Sequence, residues 1–211
     1  MSEPVSDLPV MLTVRGKRCL VVGAGGVGVR RAKLLAEAGA HVTIVAPQVH
    51  PSARLLGANI HERSFEPGDV DGMLIAVAAT SDAAINQLVS EAAQERGVLV
   101  NRSDQAAAGD LTFMSCHRDG PLTVAVHTGG ASASAATRIR DLLTGSLDPY
   151  WGPLLTLALP VRQRIQASVS DTAKRTGLLR RLTDDQAIST LLEHGESGLL
   201  ALYDDIMKDL D

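Results

Sequence analysis

The chain is 211 residues long, 45% apolar and 21% charged, a balance that supports a hydrophobic core without disulfide or metal staples and excludes disorder as the main state. Its 20 Lys and Arg face 24 Asp and Glu, a net charge of −4, so no global positive field attracts a phosphate backbone. The aromatic residues are few, only Phe65, Phe113, Tyr150, Trp151 and Tyr203, which leaves little for recognition of single-stranded nucleic acid by stacking.

Met1-Ser2-Glu3-Pro4 lacks the basic and apolar stretches of a signal peptide. The longest unbroken apolar run, residues 73–79, is too short to cross a bilayer. Cys19 and Cys116 are isolated, which suggests neither a disulfide framework nor a thiolate zinc site. A soluble, cytoplasmic protein without nucleic-acid or membrane partners is expected.

Residues 18–23 form a short apolar run bounded by charge and glycine, the pattern of a strand buried on both faces. It opens into Gly23-Ala-Gly-Gly-Val-Gly28, and residues 29–38 are rich in helix formers, stopped by Gly39. Residues 41–46 predict a second strand closed by Pro47, completing a β-α-β unit. Residues 59–65 read as an edge strand and 73–79 as a buried one. Residues 82–96 read as a helix with Thr80, Ser81 and Asp82 as N-cap candidates, and 97–101 as a fifth strand. Alternation at this spacing predicts an α/β fold, a Rossmann-type doubly wound parallel sheet.

After Asn101 the rhythm changes. A loop over 102–110 leads to 111–114; residues 121–128 alternate like a strand, Gly129-Gly130 breaks it, and 132–143 return to helix. Residues 145–153 have linker composition, and 154–207 show helical periodicity interrupted at Gly177 and Gly195. Three regions are expected: a nucleotide-binding domain over 1–112, a small β/α segment over 113–146 and a helical domain over 147–211.

The glycine motif gains meaning from its context of strand, Gly23-x-Gly25-x-x-Gly28, helix and strand. The first glycine permits the tight turn, the second lets a pyrophosphate approach, and the third lets helix pack on strand, while the helix N-terminus offers free N–H groups. The bland alternative is a glycine-rich turn that binds nothing. A P-loop would need Gly-Lys-Ser/Thr where Gly28-Val29-Arg30 stands. Leu154 and Met207 occupy the lysine position of a Tyr-x-x-x-Lys pair after Tyr150 and Tyr203. The acid that would accept ribose hydroxyls about 20 residues on is absent, since Val45-Ala46-Pro47-Gln48 stands there, and the residues alone do not choose between NAD and NADP.

Asp104 lies just past Asn101, at the carboxyl end of a strand where open α/β sheets place ligands. A carboxylate there can take a proton while hydride leaves for a nicotinamide; equally, it can shape the loop as an Asx-turn residue. The six histidines show no metal-ligand spacing, and no metal site is expected. His127, before Thr128-Gly129-Gly130, is positioned to face a ligand or to serve as a hydrogen-bonded structural residue. Thr128 to Ser132 reads as a second anion-binding turn, or as a strand-to-helix connection capped by Ser132.

Taken together these residues resemble the precorrin-2 dehydrogenase / sirohydrochlorin ferrochelatase family, which also forms the first part of sirohaem synthases. The similarity covers about residues 9–143. It rests on Val21-Val-Gly-Ala-Gly-Gly-Val-Gly28, Ala38-Gly-Ala-His-Val-Thr-Ile-Val-Ala-Pro47, Ala78-Ala-Thr-Ser-Asp82 with Asn86, Val100-Asn-Arg-Ser-Asp104, and Gly120-Pro-Leu-Thr-Val-Ala-Val-His-Thr-Gly-Gly130 with Ile139-Arg140. The resemblance implies NAD⁺-dependent removal of hydride from precorrin-2, giving sirohydrochlorin on the way to sirohaem or cobalamin, in a homodimer whose middle segments interlock. It implies Asp104 as the catalytic residue, and Gly23, Gly25, Gly26, Val27, Gly28, Pro47 and Thr80 as the NAD site. On the substrate side it implies Asn101 and Thr128, and His127, Gly129, Gly130 and Ser132 of the same anion-binding turn are expected to join them. The Val-Ala-Pro strand end, typical of the family, accounts for the missing ribose acid.

The chain departs from the family pattern at Ala133, where proline is usual, at Ala135, where leucine is common, at His127, which replaces a serine, and over 110–117. Ferrochelatase activity through Asp104, assisted by His127, is left open. The rival from another class is a regulatory, NAD-sensing Rossmann module without catalysis.

Overall fold

The computed structural model describes residues 7–105 and 108–208. The chain divides into two compact units, Met1–Phe113 and Met114–Asp211.

The first unit is built on β1 (Arg18–Ala24), α1 (Gly26–Glu37), β2 (His41–Val49), β3 (Asn59–His61), β4 (Ile75–Ala78), α2 (Ala83–Glu95) and β5 (Leu99–Arg102). The five strands form one sheet in the order β3-β2-β1-β4-β5, and every pairing is parallel. This is the doubly wound order, with β1 at the switch between the two directions of winding. Strand alternation divides the core. Cys19 and Val21 join Ala32 and Leu35 of α1 on one face, while Leu20 and Val22 join Val89, Ala92 and Ala93 of α2 on the other. Cys19 is a fully buried core residue, and burial pushes its thiol pKa up, which makes it a poor nucleophile.

Two boundaries differ from expectation. β2 continues through Pro47 to Val49, re-pairing with Ala24 after an irregularity beyond Val22. Its pairing with β3 ends at Val45, so the missing N–H of Pro47 breaks no ladder on that side. β3 spans only three residues, because the chain turns away after His61 instead of remaining extended to Phe65.

The second unit holds a hairpin, β6 (Ser115–Asp119) with β7 (Leu122–Val126), then α3 (Ala133–Gly145), α4 (Trp151–Ser168), α5 (Thr172–Arg181) and α6 (Asp185–Lys208). β6 has no counterpart among the expected strands. Its two-residue loop places Gly120 at φ +54°, a conformation suited to glycine at the first position of such a turn. Arg140 of α3 donates to Ser115 Oγ at 3.1 Å and to the Cys116 carbonyl at 3.3 Å, tying that helix to the hairpin. Leu154, Ile165, Leu178, Leu199, Tyr203 and Ile206 make the core of α4 to α6. Gly177, expected to break the tail, lies inside α5. The breaks fall on either side of it, where Asp171 caps α5 by accepting from the Lys174 N–H at 2.6 Å and Asp184 accepts from the Ala187 N–H at 2.9 Å before α6. Gly195 does kink α6, at φ 66° and ψ −166°. Among the described residues no helix is long and apolar enough to cross a membrane.

Candidate active site

The turn between β1 and α1 carries the glycine motif at the carboxyl end of the central strand. Gly23 adopts φ +103°, and a Cβ there would meet the Ala79 carbonyl. A Cβ on Gly28 would run into the Gly23 carbonyl, so this glycine allows helix and strand to close on each other. Gly25 and Gly26 differ, for a Cβ on either meets nothing within 4 Å. Gly25 is the N-cap of α1 and has no side chain to cap the first turn, which leaves its N–H groups free to receive an anion. Val27 is exposed on that first turn. Open space before an uncapped helix end is what a pyrophosphate requires, and the residues present fit a dinucleotide.

Beside this turn a cavity of about 350 Å³ opens at the ends of β1, β2 and β4. Val22, Val45, Pro47, Phe65, Thr80 and Asp82 are among its lining residues. The Thr80 hydroxyl donates to Asn86 Oδ1 at 2.8 Å, and the Asn86 amide donates back to the Thr80 carbonyl at 3.1 Å. Asp82, the N-cap of α2, accepts from Ala84 N–H at 2.8 Å. Pro47 and Thr80 are thus brought together at one cavity.

Asp104 stands past the end of β5, and its partner is a residue that the sequence reasoning did not single out. Arg102 Nε donates to Asp104 Oδ1 at 2.9 Å, and Nη2 donates to Oδ2 at 2.8 Å. The Arg102 side chain is 2% exposed and that of Asp104 is 27% exposed. These bonds hold the Asp104 carboxyl well below the usual carboxylate range, despite the opposing effect of burial, and Asn86 contributes in the same direction. The signal for Arg102 was its place two residues before Asp104; what hid it was that its bond to Gln87 depends on α2.

Asn101 is buried, and its amide is committed to the chain: Nδ2 donates to the Leu111 carbonyl at 2.9 Å, and Oδ1 accepts from Ser103 Oγ at 3.4 Å. It ties the end of β5 to Leu111.

The second unit carries the remaining expected residues. His127 is exposed just beyond β7. Gly129 and Gly130 both take positive φ, 61° and 80°. Thr128 Oγ1 donates to the Ser132 carbonyl at 3.0 Å, and Ser132 Oγ caps α3 by accepting from the Ala135 N–H at 3.1 Å. Both hydroxyls are therefore engaged within the turn. Among the described residues no three His, Cys, Asp or Glu side chains gather as a metal site.

Residues 10–115 match a family model described as "Putative NAD(P)-binding". The chain is 38% identical over 172 residues to the siroheme synthase of Pseudomonas aeruginosa (strain LESB58), covering 80% of this chain and 37% of that protein. It is 34% identical over 207 residues to the siroheme synthase of Thioalkalivibrio sulfidiphilus, covering 90% and 42%. It thus spans less than half the length of these relatives. Among solved structures it is similar to SirC, a precorrin-2 dehydrogenase, with a TM-score of 0.76 and 25% identity over 94% of this chain and 100% of that one.

Proposed function

This chain belongs to the NAD(P)-binding family matched over its residues 10–115, and we propose that it oxidises precorrin-2 to sirohydrochlorin with NAD⁺, on the way to sirohaem or cobalamin. One observation carries the reading: the likeness to a precorrin-2 dehydrogenase runs through the second unit as well as the sheet. The siroheme synthase relatives support the same chemistry.

NAD⁺ supplies the hydride acceptor. The chain supplies the uncapped α1 N-terminus with Gly23, Gly25, Gly26, Val27 and Gly28 for the pyrophosphate, and the cavity beside Pro47 and Thr80 for another part of the dinucleotide. Asp104 is the reaction-side carboxylate, with Asn101 tying the end of β5 to Leu111. His127 and the turn from Thr128 through Gly129 and Gly130 to Ser132 receive substrate carboxylates. With both hydroxyls and the N–H groups of Ala131 and Ser132 engaged internally, the N–H groups of Gly129 and Gly130 serve as donors there. The protein works in the cytoplasm as a homodimer joined through residues 113–146.

Anaerobic incubation of the purified protein with precorrin-2 and NAD⁺, followed by NADH and sirohydrochlorin absorbance, tests this. Equimolar NADH and sirohydrochlorin are expected, with turnover down about a hundredfold in a folded Asp104→Asn variant. Ferrous iron added afterwards shows whether sirohaem also forms. Measurable NAD⁺ binding with no turnover would leave a nucleotide-sensing module instead.

A further inference from the structure

Arg102 and Asp104 make a pair with an inside and an outside. The guanidinium is sealed beneath α2 with its side chain 2% exposed, while the carboxylate it grips keeps 27% exposure. Its third nitrogen, Nη1, donates to Gln87 Oε1 at 2.8 Å, so the fork is anchored at its far end as well. Gln87 Nε2 in turn donates to the exposed Glu91 at 2.9 Å. The α2 residues that meet this pair, Gln87 and Asn86, are neutral. Asp110, on the returning loop, is engaged by the Val100 N–H at 3.0 Å. A planar donor fixed at both ends fixes the rotamer of what it holds.

We infer that Arg102 is a positioning residue for the dehydrogenation proposed above: its fork presents Asp104 as a fixed anion that stabilises positive charge on the macrocycle as hydride leaves, while the proton departs separately to water. The inference rests on that functional reading. The C–H bond that breaks delivers its hydrogen and both electrons to the nicotinamide. The macrocycle, left with one positive charge, then loses one proton to solvent. One hydride and one proton are removed, which balances the two-electron oxidation. A carboxylate gripped through both oxygens is a weak proton acceptor at neutral pH, and the lowered carboxyl of Asp104 agrees with this division of labour. A preorganised anion, by contrast, needs no reorganisation when charge develops opposite it.

Two readouts test the inference. Carbon-13 NMR of aspartate carboxyls, taken without substrate, follows the titration of Asp104 in wild type, Arg102→Met and Arg102→Lys. Wild-type Asp104 is expected to stay ionised to the lowest pH at which the protein is folded, and Arg102→Met to bring it near the ordinary value of about 3.9. The kcat for precorrin-2 oxidation should show no acid limb from carboxylate titration in wild type. In Arg102→Met it should fall about tenfold or more and gain such a limb, with KM within about threefold. Arg102→Lys should recover much of kcat, and it carries the test if Arg102→Met fails to fold. Wild-type kcat and pH profile in Arg102→Met, despite a moved Asp104 titration, would overturn the inference. So would a wild-type acid limb that tracks Asp104. Wild-type protein that makes no NADH overturns the reaction itself, an outcome kept distinct because the titration is read without it.

Discussion

Gly25 and Gly28 sit three residues apart in one turn, yet their missing side chains answer to different demands. At Gly28 the protein itself fills the space, since an added Cβ would strike the Gly23 carbonyl. At Gly25 the space is open, and the backbone, with φ −78° and ψ −175°, accepts any residue. Gly28→Ala should therefore lower stability by about 1–3 kcal/mol through overpacking, measured by urea unfolding. Gly25→Ala should unfold within about 1 kcal/mol of wild type and lose at least about tenfold in NAD⁺ affinity by titration calorimetry. An unchanged affinity in Gly25→Ala would move the pyrophosphate away from this turn. Arg102 adds a third kind of residue, one whose importance comes from what it holds. Its charge is buried only because Asp104 and Gln87 occupy its donors.

At the scale of elements, α5 and α6 are joined by one buried polar bond. The Tyr203 hydroxyl of α6 donates to the Leu182 carbonyl at 2.7 Å, at the C-cap of α5. Tyr203→Phe leaves that carbonyl unpaired and should cost about 1–3 kcal/mol. Burial, with Asp184 nearby, pushes the Tyr203 pKa up to about 12, against about 10 in an unfolded chain. The bond's contribution is therefore complete below pH 10 and is lost as pH rises towards 12. Alkaline unfolding curves of wild type should steepen in that window, and those of Tyr203→Phe should be flatter there. Elements with strong apolar runs or clear capping residues were legible from the sequence: β1, α1, β4, α2 and the tail helices. β6 was not, because Ser115-Cys-His-Arg-Asp119 is largely exposed and is held as a strand by pairing with β7. The end of β2 was hidden by Pro47, whose position is tolerated only because β3 stops short of it. Gly177 misled because a glycine inside a helix costs only about 1 kcal/mol, and the capping bonds of Asp171 and Asp184 place the real boundaries. In the site, the glycine turn could be read from residue order, whereas the Arg102–Asp104 fork needed the third dimension.

For the whole molecule, the two units differ in the aromatic residues they carry. Unit one closes its cores around the sheet, and its aromatic residues are Phe65 and Phe113. Unit two closes its own core among α4 to α6, and Trp151, Tyr150 and Tyr203 all belong to it. Trp151 fluorescence therefore arises in the second unit, whereas far-ultraviolet circular dichroism reports helices and strands of both. The dinucleotide site proposed above lies within the first unit. A ligand stabilises the cooperative structure that contains its site by RT ln(1 + [L]/Kd), about 2.7 kcal/mol at a hundred times Kd. NAD⁺ at that excess should raise the circular-dichroism melting of the first unit by several degrees and leave the Trp151 transition in place. If the Trp151 transition rises by the same amount, the two units unfold as one, and NAD⁺ binding at the proposed site then stabilises the turn at residues 127–132 as well. In that case NAD⁺ should also slow proteolysis within the second unit, a consequence that the same titration, repeated with a protease, would read directly.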